Sequence, residues 1–177
     1  MAVGIPLEID AMRLDDIPQV HTIERLSFST PWPAYAFEQE LTGNRLARYV
    51  VARAGGDRVV AFAGVWLMVD EAHITTFGVH PEWRRQGIGR RLLLRLAELA
   101  TELGARRMTL EVRVTNRAAQ ALYRGYGFEV VGRRPRYYTD DGEDAFVMTT
   151  PDLATPGMTA LLERERSRFG DSAEGAE

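Results

Sequence analysis

The junction at residues 80–91, and the helix that follows it, constrain this chain more than any other segment. Leu92, Leu96, Leu99 and Leu103 recur at i, i+4, i+7 and i+11, one face of an α-helix, and Gly104 supplies the stop. The spacing predicts a helix over residues 86–103. Residues 71–80 read as a β-run ended by Pro81, and residues 107–114 as another strand after the helix. Such a helix serves as a crossover, so the sheet is expected to switch there from antiparallel to parallel pairing.

The remaining elements fall around that crossover. Residues 7–13 read as a short strand, and residues 15–28 as a helix with Ile17, Val20, Ile23 and Leu26 at helical spacing. Ser29-Thr30-Pro31-Trp32-Pro33 breaks it, and residues 34–41 form a second helix closed near Gly43. Residues 48–53 and 58–69 are β-rich runs joined by Ala54-Gly55-Gly56-Asp57, a hairpin signal. Downstream, Thr115 or Asn116 caps a helix running to Tyr126, with Gly127 as terminator. Two more strands, 128–134 and 143–149, flank the polar loop 135–142. The order predicts an α/β fold with a mixed antiparallel/parallel sheet flanked by helices; a doubly wound fold alternates more strictly. The expected domain covers 1–150. Residues 151–177 form an extension, with an amphipathic helix over 158–169 and then a tail of disorder-prone composition.

Composition removes several chemistries. All 22 basic residues are arginine and there is no cysteine. Schiff-base enzymes and P-loop hydrolases need a lysine, and thiol proteases and Cys-ligated zinc sites need a thiolate. His21, His73 and His80 lack metal-ligand spacing, so packing or surface roles and no metal are expected. The 177 residues suit one domain. A net charge of −3 argues against a nucleic-acid partner. No apolar run reaches the length of a membrane span, and residues 1–10 lack a leader pattern, so no membrane partner and a cytoplasmic location are expected.

The junction itself carries a chemical signal. Gly87 and Gly89 stand at the start of the predicted helix, where backbone N–H groups point outward with the positive end of the helix dipole. Arg84, Arg85, Arg90 and Arg91 add positive charge. A pyrophosphate is a natural guest, and a tight turn with solvated arginines is the plain alternative. A dinucleotide fingerprint would need a third glycine where Leu92 stands, and a P-loop would need lysine.

Arg84-Arg85-Gln86-Gly87-Ile88-Gly89 resembles the [QR]-x-x-G-x-[GA] signature of the GNAT superfamily of acyl-CoA N-acyltransferases. A second series is similar to the RimI family, the ribosomal-protein alanine N-acetyltransferases: Leu110-Glu111-Val112-Arg113-Val114-Thr115-Asn116, Ala121-Leu122-Tyr123, Gly127-Phe128, Arg133-Arg134-Pro135-Arg136-Tyr137-Tyr138 and Glu143-Asp144-Ala145. The likeness covers residues 8–149. It implies transfer of acetyl from acetyl-CoA to the α-amine of a ribosomal or other protein N-terminus by direct attack.

On these residues the resemblance implies Glu111 as proton acceptor at a strand end and Tyr123 as proton donor to the departing thiolate. It implies backbone of Phe77, Gly78 and Val79 beside the pantetheine amides. Arg85, Gln86, Gly87, Ile88, Gly89 and Arg90 would surround the pyrophosphate, with Asn116 at the pantetheine end. Trp32, Tyr137 and Tyr138 would contact the acceptor. Each residue also has a plainer reading: Glu111 as a solvent-facing strand residue, Tyr123 as a core aromatic, Gly78 as a bulge in an unliganded strand, and Trp32 as a core anchor. The alternative functions are acetylation of a small amine or a lysine side chain, for which Asp140, Asp141, Glu143 and Asp144 could form an acidic pocket, and a non-catalytic acyl-CoA-binding module.

Overall fold

The structure, a computed structural model, describes residues 6–170. Twelve regular elements follow in chain order among them: β1 (Leu7–Ala11), α1 (Ile17–Ser27), α2 (Ala34–Gly43), β2 (Ala47–Ala54), β3 (Arg58–Met68), β4 (Glu71–Val79), α3 (Ile88–Glu102), β5 (Arg107–Arg113), α4 (Arg117–Arg124), β6 (Glu129–Arg134), β7 (Ala145–Thr149) and α5 (Pro156–Gly170). Short 3-10 turns precede α1 and α3. The strands follow the order β1-β2-β3-β4-β5-β7-β6. β1/β2 and β2/β3 are antiparallel, and β4/β5 is parallel across the α3 crossover. The expected switch in strand direction therefore occurs where the leucine-spaced helix intervenes. β7 then runs antiparallel to both β5 and β6.

The chain forms two compact units, one of residues up to Trp66 with Ile74–Leu92, the other of Leu67–His73 with the residues from Leu93 onward. In the first, Val20 and Ile23 of α1 and Phe37 of α2 pack with Val51 and Phe62. Phe37 meets the Phe62 and Tyr49 rings edge-on, at 5.7 and 6.4 Å. Gly64 is where the β3 backbone approaches the Tyr49 ring, onto which a β-carbon would fall. A buried ion pair sits in the same unit. Arg53 of β2 and Asp16, each 4% exposed, are joined by two hydrogen bonds, Nη1 to Oδ1 at 2.5 Å and Nη2 to Oδ2 at 2.7 Å.

In the second unit Leu96, Met108, Leu110, Tyr126, Phe128 and Met148 are fully buried. Helix α5, the part of the extension with no role in the sequence reading, docks here. Its Met158 sulfur would lie 2.7 Å from a β-carbon at Gly127, which has φ +85°, and the Tyr126 hydroxyl donates to Glu165 at 3.2 Å in a buried contact. The tail expected after Gly170 lies outside the described residues. Among the described residues no helix is long and apolar enough to cross a membrane.

Candidate active site

In the first unit, the junction after β4 is organised by its own backbone. His80 caps the 3-10 turn Pro81–Trp83 by accepting from the Glu82 N–H at 3.1 Å. The chain then turns through two left-handed residues, Arg85 at φ +62° and Gly87 at φ +77°. Gly87 has open space where a β-carbon would stand, so its dihedral, and not crowding, favours glycine here. Ile88 is buried and anchors the first turn of α3, while residues 84–87 are exposed. The Arg91 N–H returns to the Gly87 carbonyl at 3.1 Å. A helix start in general leaves its first N–H groups without an intrahelical acceptor, the physical basis of the anion cradle expected from the sequence.

The arginines divide in a way the sequence did not reveal. Four mobile cations were expected around the cradle. Arg84 instead donates to the Val79 carbonyl at 3.1 Å and to the Ser27 hydroxyl at 3.4 Å. Arg91 reaches the Leu7 carbonyl at 3.1 Å, and burial pushes its pKa down. Both brace the loop against neighbouring strands and helices. Phe77, Gly78 and Val79 form the last residues of β4. A side chain at Gly78 would press on the Phe62 ring at 3.1 Å, so close packing accounts for that glycine.

Trp32 packs against the core of this unit, with its ring centroid 5.6 Å from that of Phe37. Its N–H donates to Glu24 at 3.1 Å, and Glu24 also accepts the Phe28 N–H on its backbone carbonyl. Glu24 therefore ties down both ends of the loop between α1 and α2. Burial raises its carboxyl pKa, an effect the Trp32 bond only partly offsets.

In the second unit, β5 buries Met108, Leu110 and Val112, which turns Glu111 to the opposite face. Glu111 lies in the interior of β5, a correction to its expected place at a strand end. Nor does it face solvent. Its side chain is 11% exposed and both oxygens are engaged: Oε2 with His73 Nε2 at 2.6 Å, Oε1 with Arg134 Nε at 3.4 Å. Burial by itself would raise its pKa, but the hydrogen bond and charge of His73, with the charge of Arg134, hold it below the usual glutamate value. Glu111 is therefore a carboxylate at neutral pH.

His73 and Arg134 are the residues that sequence reasoning missed. The parallel register sets His73 opposite Thr109, two residues before Glu111 and on the same face. Nothing in the sequence signals a pairing 38 residues apart; only the register of β4 on β5 creates it. The packing or surface role expected for His73 is replaced by a carboxylate contact.

Tyr123 on α4 is buried, 5.6 Å from the Phe128 ring by centroids, and burial raises its phenol pKa well above the usual value. Asn116 is the N-cap of α4, its side-chain carbonyl accepting the Ala119 N–H at 3.1 Å.

The loop after β6 is held by one guanidinium. Arg113 stacks 3.9 Å above the Tyr138 ring and pairs with Asp140 at 2.8 Å, Asp141 at 3.0 Å and Glu143 at 3.3 Å. Arg133 takes Asp144 at 2.7 Å. The acidic run is thus engaged by two of the chain's own arginines, four carboxylates sharing two guanidiniums. Tyr137 stands edge-on to Tyr138, 5.1 Å between centroids, and is 44% exposed. Among the described residues no cluster of three or more His, Asp or Glu could hold a metal ion.

Comparison with known proteins agrees with this architecture. The model of the acetyltransferase (GNAT) family matches residues 17–128. A Bacillus subtilis (strain 168) protein provisionally named a [ribosomal protein bS18]-alanine N-acetyltransferase is 44% identical over 137 residues, 77% of this chain and 90% of that protein. The [ribosomal protein bS18]-alanine N-acetyltransferase of Escherichia coli (strain K12) is 34% identical over 145 residues, 81% of this chain and 96% of that one. The crystal structure of the ribosomal-protein-S18-alanine N-acetyltransferase from Escherichia coli superposes with a TM-score of 0.76 at 32% identity, covering 85% of this chain and 97% of that chain. On the family match, the similarity of these relatives and the mixed sheet with its glycine-started crossover helix, the chain belongs to the GNAT acetyltransferase family.

Proposed function

We propose that the chain transfers acetyl from acetyl-CoA to the α-amine of a protein N-terminal residue, with the alanine of a small-subunit ribosomal protein as the acceptor. The observation that carries this reading is the Glu111 carboxylate, ionised and held at both oxygens, in a chain 34% identical to the E. coli enzyme named for that reaction. The thioester supplies the activated acyl group. Arg85, Gln86, Gly87, Ile88, Gly89 and Arg90 bind the pyrophosphate at the start of α3, and the β4 backbone at Phe77, Gly78 and Val79 lines the pantetheine together with Asn116. Glu111 takes the proton of the acceptor α-ammonium, directly or through water, and Tyr123 donates to the leaving thiolate. Trp32, Tyr137 and Tyr138 border the acceptor. The acidic loop is tied down by the chain's own Arg113 and Arg133, which leaves its carboxylates less available to a polycation and favours a peptide over a polyamine.

A peptide beginning Ala-Arg should be acetylated in the presence of acetyl-CoA, and the same peptide blocked at its α-amine should not. Equal rates on both, measured by mass spectrometry, would identify a side chain as the acceptor and overturn the reading. Arg113→Ala removes the centre of the loop's ion-pair network. It is expected to raise the peptide KM by roughly tenfold while leaving the acetyl-CoA KM near its original value. An unchanged peptide KM would remove the loop from acceptor binding.

A further inference from the structure

A carboxylate has to accept a proton from an α-ammonium in this reaction, and the two are poorly matched. Ordinary glutamic acid has a pKa near 4.3 and an α-ammonium one near 7.7–8.0, a gap of more than about three units. The contacts that hold Glu111 ionised widen that gap. An imidazole in contact with the carboxylate gives the proton a second nitrogen to rest on. One stands 2.6 Å away, with a side chain 25% exposed against 11% for the glutamate.

We propose that His73 is a positioning residue for the acetyl transfer: it fixes Glu111 through the Nε2–Oε2 contact and lets the two side chains hold the acceptor's proton as one unit. This rests on the function proposed above. In the resting pair one proton lies between Nε2 and Oε2, and the pair carries a single negative charge. When the acceptor's N–H bond breaks, its electron pair stays on nitrogen for the attack on the thioester. The proton joins the pair, which becomes a carboxylate hydrogen-bonded to an imidazolium, with no net charge. The partly exposed imidazole then returns that proton to water. Arg134 on β6, 3.4 Å from the other glutamate oxygen, opposes protonation of the carboxylate and so favours the imidazolium form. The phenols of Tyr137 and Tyr138 are held above their usual pKa by burial and by the Glu111 charge, and so are neutral at pH 7. On β4 itself the nearest residues of the same face are Glu71 and Thr75.

The test is a pH–rate profile of the parent and of His73→Gln on a peptide with a free α-amine. The variant should lose at least about tenfold in kcat at pH 7, keep its acetyl-CoA KM within about twofold, and recover most of the loss by pH 9, where the acceptor deprotonates without help. A strand defect would lower the rate at every pH. Combined with Glu111→Gln, the second substitution should cost little more than the first, because the two act as one unit. Superimposable profiles, or fully additive losses, would overturn the inference. Should His73→Gln not fold, the shorter His73→Asn is read in the same assay against the same criteria. A parent that acetylates no free α-amine would defeat the function proposed above; a working parent with an indifferent His73 would defeat only this inference.

Discussion

Glu111→Gln is expected to lower turnover on an α-amine peptide by roughly 10²–10⁴-fold, with acetyl-CoA affinity nearly unchanged. The size follows from what the side chain supplies. Glutamine keeps the shape and one acceptor oxygen, so the 2.6 Å contact to His73 can persist, while the negative charge that attracts the proton is gone. The pH dependence sharpens this expectation. Because His73 and Arg134 hold the Glu111 pKa below the usual range, Glu111 stays ionised throughout the neutral region. Loss of rate between pH 8 and pH 6 therefore reports protonation of the acceptor amine, and the glutamate's own titration is confined to more acidic pH. Steady-state kinetics over pH 5–9 checks both statements. An unchanged kcat in Glu111→Gln would end its assignment as proton acceptor.

The largest expected effect on stability lies in the other unit. Arg53→Met should destabilise the fold by about 3–5 kcal/mol, because it strands the Asp16 carboxylate away from water. Domains of this kind are stable by roughly 5–15 kcal/mol, so the loss is a large fraction of the whole. Replacing both partners, Asp16→Leu with Arg53→Met, should recover much of it, since an apolar pair of similar volume avoids the desolvation penalty. The pair also sets a pH signature. Burial opposes ionisation of Asp16, but its hydrogen bonds to Arg53 and to the Arg13 N–H hold the folded pKa below the unfolded value. Its stabilisation is therefore complete above the unfolded pKa near 3.9 and disappears as pH falls through the lower, folded one. Chemical denaturation of the parent and the two variants at pH 7, repeated at acid pH for the parent, measures each part. A single variant as stable as the parent would show that the pair is solvated.

The sequence announces what is periodic or locally encoded. The leucine spacing of α3, the Gly-Gly turn between β2 and β3, the Asn116 cap and the Gly87 turn each rest on neighbours in the chain, and each appears in the structure with shifts of a few residues at the ends. Pairings across the fold were not legible. His73 gave no sign of meeting Glu111, because that meeting depends on a parallel register set by the whole crossover. The acidic run at 140–144 looked like an open negative surface, because neither Arg113 nor Arg133 declares from its sequence position that its charge turns back on that loop. Arg84 and Arg91 show the same limit, as composition counts cations without showing which are already committed.

The docking of α5 bears on how this protein can be cut and joined. Helix α4 carries Tyr123, and the turn that ends it is sealed by the Met158 sulfur against Gly127 and by the Tyr126 phenol on Glu165. A chain cut at residue 150, at the apparent close of the family pattern, would lose that seal and admit water beneath the segment that holds the proposed proton donor. The natural place for a fusion partner is beyond Gly170, and the boundary drawn from motif coverage falls about twenty residues short of the boundary set by packing.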